Sequence, residues 1–225
     1  TVHREQLFAG IFFGMLFLAI IYNFFIFASM RHAAFLDYVA YGLGLLGLMA
    51  VVDGYCAQFL LPGMPVLANR LMGVFVAWSG MSVARFIVNY IGEEHLSVGL
   101  VRYLKFCVIL NGLAVVLAAV SPSVIGVPVA LIMVTLVIPS IVWAAVLLRS
   151  SQHPDAWNFI CAWACVAVGA TVSIFMHLGI ISFGVPPVLP MKVASAFNLV
   201  LLSLGLAAHF SRIQRENAIQ SEVLV

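Results

Sequence analysis

The chain has 225 residues, of which 64% are hydrophobic and only 8% charged, with a mean hydropathy of +1.17. Soluble domains carry about 25% charged residues, so this composition excludes the ordinary globular class and predicts an integral membrane protein. Ten basic and eight acidic residues leave a net charge of +2, too sparse for a groove that tracks phosphates, and no nucleic-acid partner is expected.

Seven apolar segments of spanning length follow one another, at roughly 7–29, 38–60, 71–91, 103–120, 128–148, 158–181 and 193–210. The first opens at Leu7 and is too long for the apolar core of a signal peptide. Its early start suggests a piece of a longer protein. Gly10 and Gly14 lie one turn apart in it, a spacing that lets two helices approach closely. Tyr22 and Asn23 fall near its end, and a polar break at 31–37 follows. Segment two carries Tyr38 and Tyr41 at its start, Gly42, Gly44 and Gly47 within it, and Asp53 and Gln58 towards its far end. A Pro/Gly-bearing turn at 61–65 leads to segment three, which holds Ser79, Arg85 and Asn89. Segments four and five add only hydropathy. Segment six contains Cys161 and Cys165 and ends near His177; segment seven begins near Lys192, followed by Asn198 and His209. Residues 211–225 turn polar, with good helix formers, and are expected to continue segment seven as a cytoplasmic stalk.

Strands of a membrane barrel would alternate inside and outside, and runs such as 16–21 do not. Helices satisfy every backbone group without water, so the expected fold is all-α, a seven-helix bundle. Basic residues near the segment ends are unequally shared. Arg4, Arg70 and Lys192 fall on one side; Arg31, Arg102, Lys105, Arg149, Arg212 and Arg215 fall on the other. The richer side is expected to be cytoplasmic, which places the N-terminus outside and the C-terminus inside.

Polar side chains within spans are functional candidates, because lipid cannot solvate them. Depth along the helices groups Asp53, Gln58, His177, Lys192 and Asn198 near the outer face, with Asn69 beside them, as a candidate ligand cavity. Near the inner face, Tyr22, Asn23, Arg85 and Asn89 form a candidate polar network, with Gly10 and Gly14 as packing positions. A retinal protein would need a lysine in mid-segment seven, and Lys192 is at its end. Ala77-Trp78-Ser79-Gly80 resembles the nucleophile box of an intramembrane serine protease, but His177 and His209 lie at other depths. Cys56, Cys107, Cys161 and Cys165 sit in apolar runs and read as small buried hydrophobes, so neither disulfides nor a metal site are expected. No catalytic residues and no cofactor are expected. A small-molecule transporter or channel subunit is the alternative; the transporter is weakened by the odd number of spans and by the lack of any visibly broken helix.

Residues 10–41 bear a more specific pattern: Gly10-Ile11-Phe12-Phe13-Gly14, then Ile21-Tyr22-Asn23-Phe24-Phe25-Ile26-Phe27, then Arg31, then Tyr38-Val39-Ala40-Tyr41. This resembles the opening of the 7TMR-DISM family, seven-transmembrane receptors with diverse intracellular signalling modules. Asp53-Gly54 and Leu206-Ala207-Ala208 fit the same layout. The resemblance implies a receptor's membrane module in the bacterial inner membrane, possessing no enzymatic activity of its own. It also implies an extracytoplasmic sensor domain before the first helix, binding a small ligand, and a histidine kinase or diguanylate cyclase after the last. Membrane lipid and a second copy, joined through a coiled coil in the polar stalk, are the other partners expected.

Overall fold

The computed structural model describes residues 2–152 and 156–223. Among these the chain is all-α, with no strand. Its helices are α1 (Val2–Met30), α2 (Ala33–Val52), α3 (Pro65–Ile91), α4 (Val98–Val120), α5 (Ser123–Thr135), α6 (Ile138–Ser150), α7 (Ala156–His177) and α8 (Leu189–Val223). Seven stretches are long and apolar enough to cross a membrane, α5 and α6 together forming the fifth, Ser123–Ser150. The protein is therefore a multi-pass membrane protein. Two compact units divide it, Thr1–Leu147 and Leu148–Val225.

In the first unit the helix ends are set by local chemistry. α1 closes on Arg31, whose φ of 56° is left-handed, and the Arg31 N–H donates to the Phe27 carbonyl. His32 then caps α2, its Nδ1 accepting from the Ala34 N–H at 3.2 Å. α2 thus starts at Ala33, five residues before the expected start, and takes Asp37 into the helix. It also ends early, at Val52, because Gly54 adopts a φ of 80° that few other residues tolerate; a π-helical turn, Cys56–Leu60, follows.

α3 is the hub of this unit and packs against α2, α4 and α5. Close approach to α2 depends on glycine: a Cβ at Gly44 would meet Ser79 and Trp78, and one at Gly47 would meet the Phe75 ring. Trp78 completes the contact, its indole N–H donating to the Ala40 carbonyl at 2.8 Å. Small side chains continue inward, where Val76 and Ala77 of α3 meet Ala114 of α4 and Ala130 of α5. By contrast, a Cβ at Gly10 or Gly14 meets nothing within 4 Å. Of the two glycine sets expected to allow close packing, Gly42, Gly44 and Gly47 of α2 do so within the described residues, against side chains of α1 and α3.

The fifth span corrects a further expectation, since it is broken between Thr135 and Ile138. Pro139 explains the break. It has no N–H for the Thr135 carbonyl, and Ser140 bonds back to Val137 in place of Leu136. Such freed carbonyls are costly in lipid, and α4 supplies donors to two of the carbonyls beside the break. The Tyr103 hydroxyl donates to the Leu136 carbonyl at 2.6 Å, with the Cys107 thiol beside it, and the Asn111 amide donates to the Met133 carbonyl at 3.2 Å. These three residues are spaced four apart and so share one face of α4. Tyr103→Phe removes the hydroxyl alone and should cost about 1 kcal/mol of stability, read as a lower melting temperature of the purified protein.

The second unit is an antiparallel pair of α7 and α8. Gly169 lies against Ala194 and the Pro190 carbonyl, the Ser173 hydroxyl accepts from the Met191 N–H at 3.1 Å, and the Asn198 amide donates to the Ala162 carbonyl at 3.0 Å. These contacts fix one register along the pair.

Candidate functional site

The strongest polar constellation lies where α2 begins and α3 ends. Arg85 and Asn89 are four residues apart and project from one face of α3. Opposite them α2 presents Asp37, 3% exposed. Arg85 Nε lies 3.0 Å from Asp37 Oδ1, and the Asn89 amide donates to Oδ2 at 2.5 Å. Both carboxylate oxygens are thereby engaged. The Arg85 side chain stays half-exposed while its partner is enclosed, so the pair joins a hidden anion to a cation that reaches the surface. An intramembrane charge of this kind needs its counter-charge in place, because an unpaired one costs several kcal/mol.

Of the inner-face network expected from sequence, Arg85 and Asn89 meet here. Asn23 is buried on α1, its amide donating to the Ala19 carbonyl of its own helix, and Tyr22 lies on an exposed face. Sequence alone does not place Asp37 in that network, because it falls in the polar break before the apolar run of segment two. The signal that finds it is the pairing rule: Arg85 requires a carboxylate at its own depth, and Asp37 heads the neighbouring helix.

Beside this cluster, the ends of α3 and α4 enclose a groove of about 400 Å³ lined by Arg85, Val88, Asn89, Glu93, Lys105 and Ile109. Lys105 Nζ lies 2.8 Å from Glu93 Oε1. A second groove, at the opposite end of α3, is lined by Asn69, Met72, Ser123 and Pro128, and includes neither Asp53 nor Gln58.

The expected outer residues divide between the two units. Asp53 caps α2 and Gln58 sits exposed in the π-helical turn, both in the first. His177, Lys192 and Asn198 belong to the second. There the His177 ring meets the Ser173 carbonyl through Nδ1 at 2.8 Å, Lys192 is buried in the first turn of α8, and Asn198 is wholly enclosed against α7. The Asn198 amide thus serves helix packing.

Other chemistry weighed from sequence finds structural roles. The Ser79 hydroxyl donates to the Phe75 carbonyl one turn back, at 2.8 Å. The expectation of small buried hydrophobes holds for Cys56 and Cys107 but not for Cys161, which is exposed, or Cys165, which is half-buried; burial pushes the Cys56 thiol up from its ordinary range, away from the reactive thiolate.

Residues 5–209 match the family described as 7TM diverse intracellular signalling, 7TMR-DISM_7TM. The chain belongs to the 7TMR-DISM family. No curated protein and no solved structure matches it. As a 7TMR-DISM module the chain is a membrane signalling receptor segment. The Asp37–Arg85–Asn89 cluster and the donor face of α4 are two polar features that its first unit holds within the spans.

Proposed function

We propose that this 7TMR-DISM module relays an extracytoplasmic signal across a bacterial inner membrane to a cytoplasmic histidine kinase or diguanylate cyclase. In this reading the N-terminus is outside and the C-terminus inside, the module acts as a homodimer, and it performs no chemistry and takes no cofactor itself. The observation that carries the reading is α8. It is a single helix of 35 residues, about 50 Å long at ~1.5 Å per residue, against a hydrocarbon core of about 30 Å. A helix that is continuous from inside the bilayer to well beyond it transmits rotation or translation without a flexible joint. A ligand shifts such a module only by binding one of its arrangements more tightly than the other.

Two experiments test this. Reporter fusions within 58–70 should be extracytoplasmic and those just after Arg149 cytoplasmic, as the basic asymmetry requires; the reverse pattern overturns the orientation. In the intact receptor, inserting four residues after Arg212 should change basal output, whereas seven should restore it by returning the helix face to register. Indifference to both insertions overturns a helix-borne relay.

The broken fifth span is the observation that favours a transporter, since discontinuous helices expose backbone groups to substrates. Here the Met133, Leu136 and Val137 carbonyls accept from Asn111, Tyr103 and Ser140, so the donors at the break come from the protein itself, which speaks for a structural kink. Solute uptake into vesicles carrying the purified protein would reverse this preference.

A further inference from the structure

The groove between α3 and α4 has features that the signalling role does not use. We propose that it binds a membrane aminophospholipid, with the phosphate between Arg85 and Lys105 and the headgroup ammonium on Glu93. The site stands whether or not the module is a relay.

Depth is the first argument. Arg85 precedes Ile91, the end of α3, by six positions, and Lys105 follows Val98, the start of α4, by seven. At ~1.5 Å per residue both backbones lie about 10 Å inside their helix ends. α3 has 27 residues and is about 40 Å long, so it overhangs a hydrocarbon core of about 30 Å on either side. Long cationic side chains at this level reach up to the layer of lipid phosphates.

Charge is the second. The Arg85 guanidinium spends Nε on the buried Asp37 and leaves its other donors to the half-exposed side that lines the groove. Lys105 and Glu93 are each more than half-exposed and touch one another. Two cations balanced by two carboxylates make the neighbourhood neutral, so a headgroup bearing a phosphate and an ammonium complements it. A headgroup bearing only the phosphate would draw Lys105 away from Glu93 and leave that acid without a counter-charge. Recesses between membrane helices that carry basic side chains are known lipid headgroup sites, and the acid here adds the discrimination.

Shape is the third. Below Lys105, α4 carries Ile109, Leu113 and Val116 at helical spacing on its exposed surface. Val88 and Val108 line the groove itself. An acyl chain attached to a headgroup in the groove would lie along that stripe, which a free phosphate ion cannot use.

Native mass spectrometry of the full chain in mild detergent reads the outcome directly. The wild type should retain phosphatidylethanolamine about tenfold better than phosphatidylglycerol of the same acyl chains. Glu93→Gln should abolish that preference by weakening the first, and Lys105→Gln should weaken retention of both. Both substitutions lie on exposed side chains, so folding is preserved. Millimolar inorganic phosphate should not displace the lipid. Equal retention of the two lipids by the wild type, an unchanged preference in Glu93→Gln, or release by phosphate alone would each overturn the proposal.

Discussion

Arg85→Leu should lower the stability of the purified protein by about 3 kcal/mol, near the lower end of what removing one partner of a buried ion pair costs. The lower end applies because the Arg85 side chain is half-exposed and its own charge is partly solvated in the pair. What remains after the substitution is the Asp37 carboxylate, enclosed between α2 and α3 with only the Asn89 amide to offset its charge. Asp37→Leu combined with Arg85→Leu removes that stranded charge and replaces the pair with apolar contact. The double variant should regain most of the loss, because buried ion pairs are often replaceable by hydrophobic groups at little net cost. Thermal unfolding of wild type, both single variants and the double variant closes the cycle. Simple addition of the two single effects would show that Asp37 and Arg85 do not act as a pair.

The same pair shows where sequence reasoning succeeds and where it stops. Spans are legible because a run of about 20 apolar residues has few other uses, and all seven are found. Arg85 and Asn89 are legible as polar residues within a span, and their four-residue spacing places them on one face. Their counter-charge is harder, since Asp37 joins α2 only through the His32 cap, which lies in a stretch that hydropathy reads as a break. Segment five fails for a different reason. Hydropathy averages over Pro139 without registering the N–H it lacks, so an unbroken helix is expected. Asn111 gives no signal of its role in the sequence either, for that role depends on the break in another helix. Gly10 and Gly14 have the spacing of a close contact, yet only neighbouring helices decide which glycine faces are used. Those of α2 are, since α2 has α1 on one side and α3 on the other.

Gly80→Leu should be as damaging as any single substitution in the first unit, costing about 3 kcal/mol or preventing accumulation of the folded protein. Gly80 faces α4 at the point where Asn111 is completely buried. A Cβ there would fall about 2.5 Å from Asn111 Oδ1 and 3.0 Å from Val134 Cγ2, too close on both sides. The Asn111 side chain has little room to yield, because its amide is held by the Cys107 carbonyl of α4 at 2.9 Å and the Met133 carbonyl of α5 at 3.2 Å. Displacing it strands a polar side chain in the apolar interior and removes the donor from a carbonyl next to the break in the fifth span. Oversized packing and a lost buried hydrogen bond therefore act together. Gly14→Leu is the matched control: the same change on α1, where a Cβ meets nothing within 4 Å, should shift the melting temperature little. Asn111→Ala in the Gly80→Ala background should recover part of the loss from Gly80→Ala alone, since it clears the atom with which the new methyl collides. Equal melting temperatures for Gly80→Leu and Gly14→Leu would refute the view that α3, α4 and the broken span are locked together at Asn111.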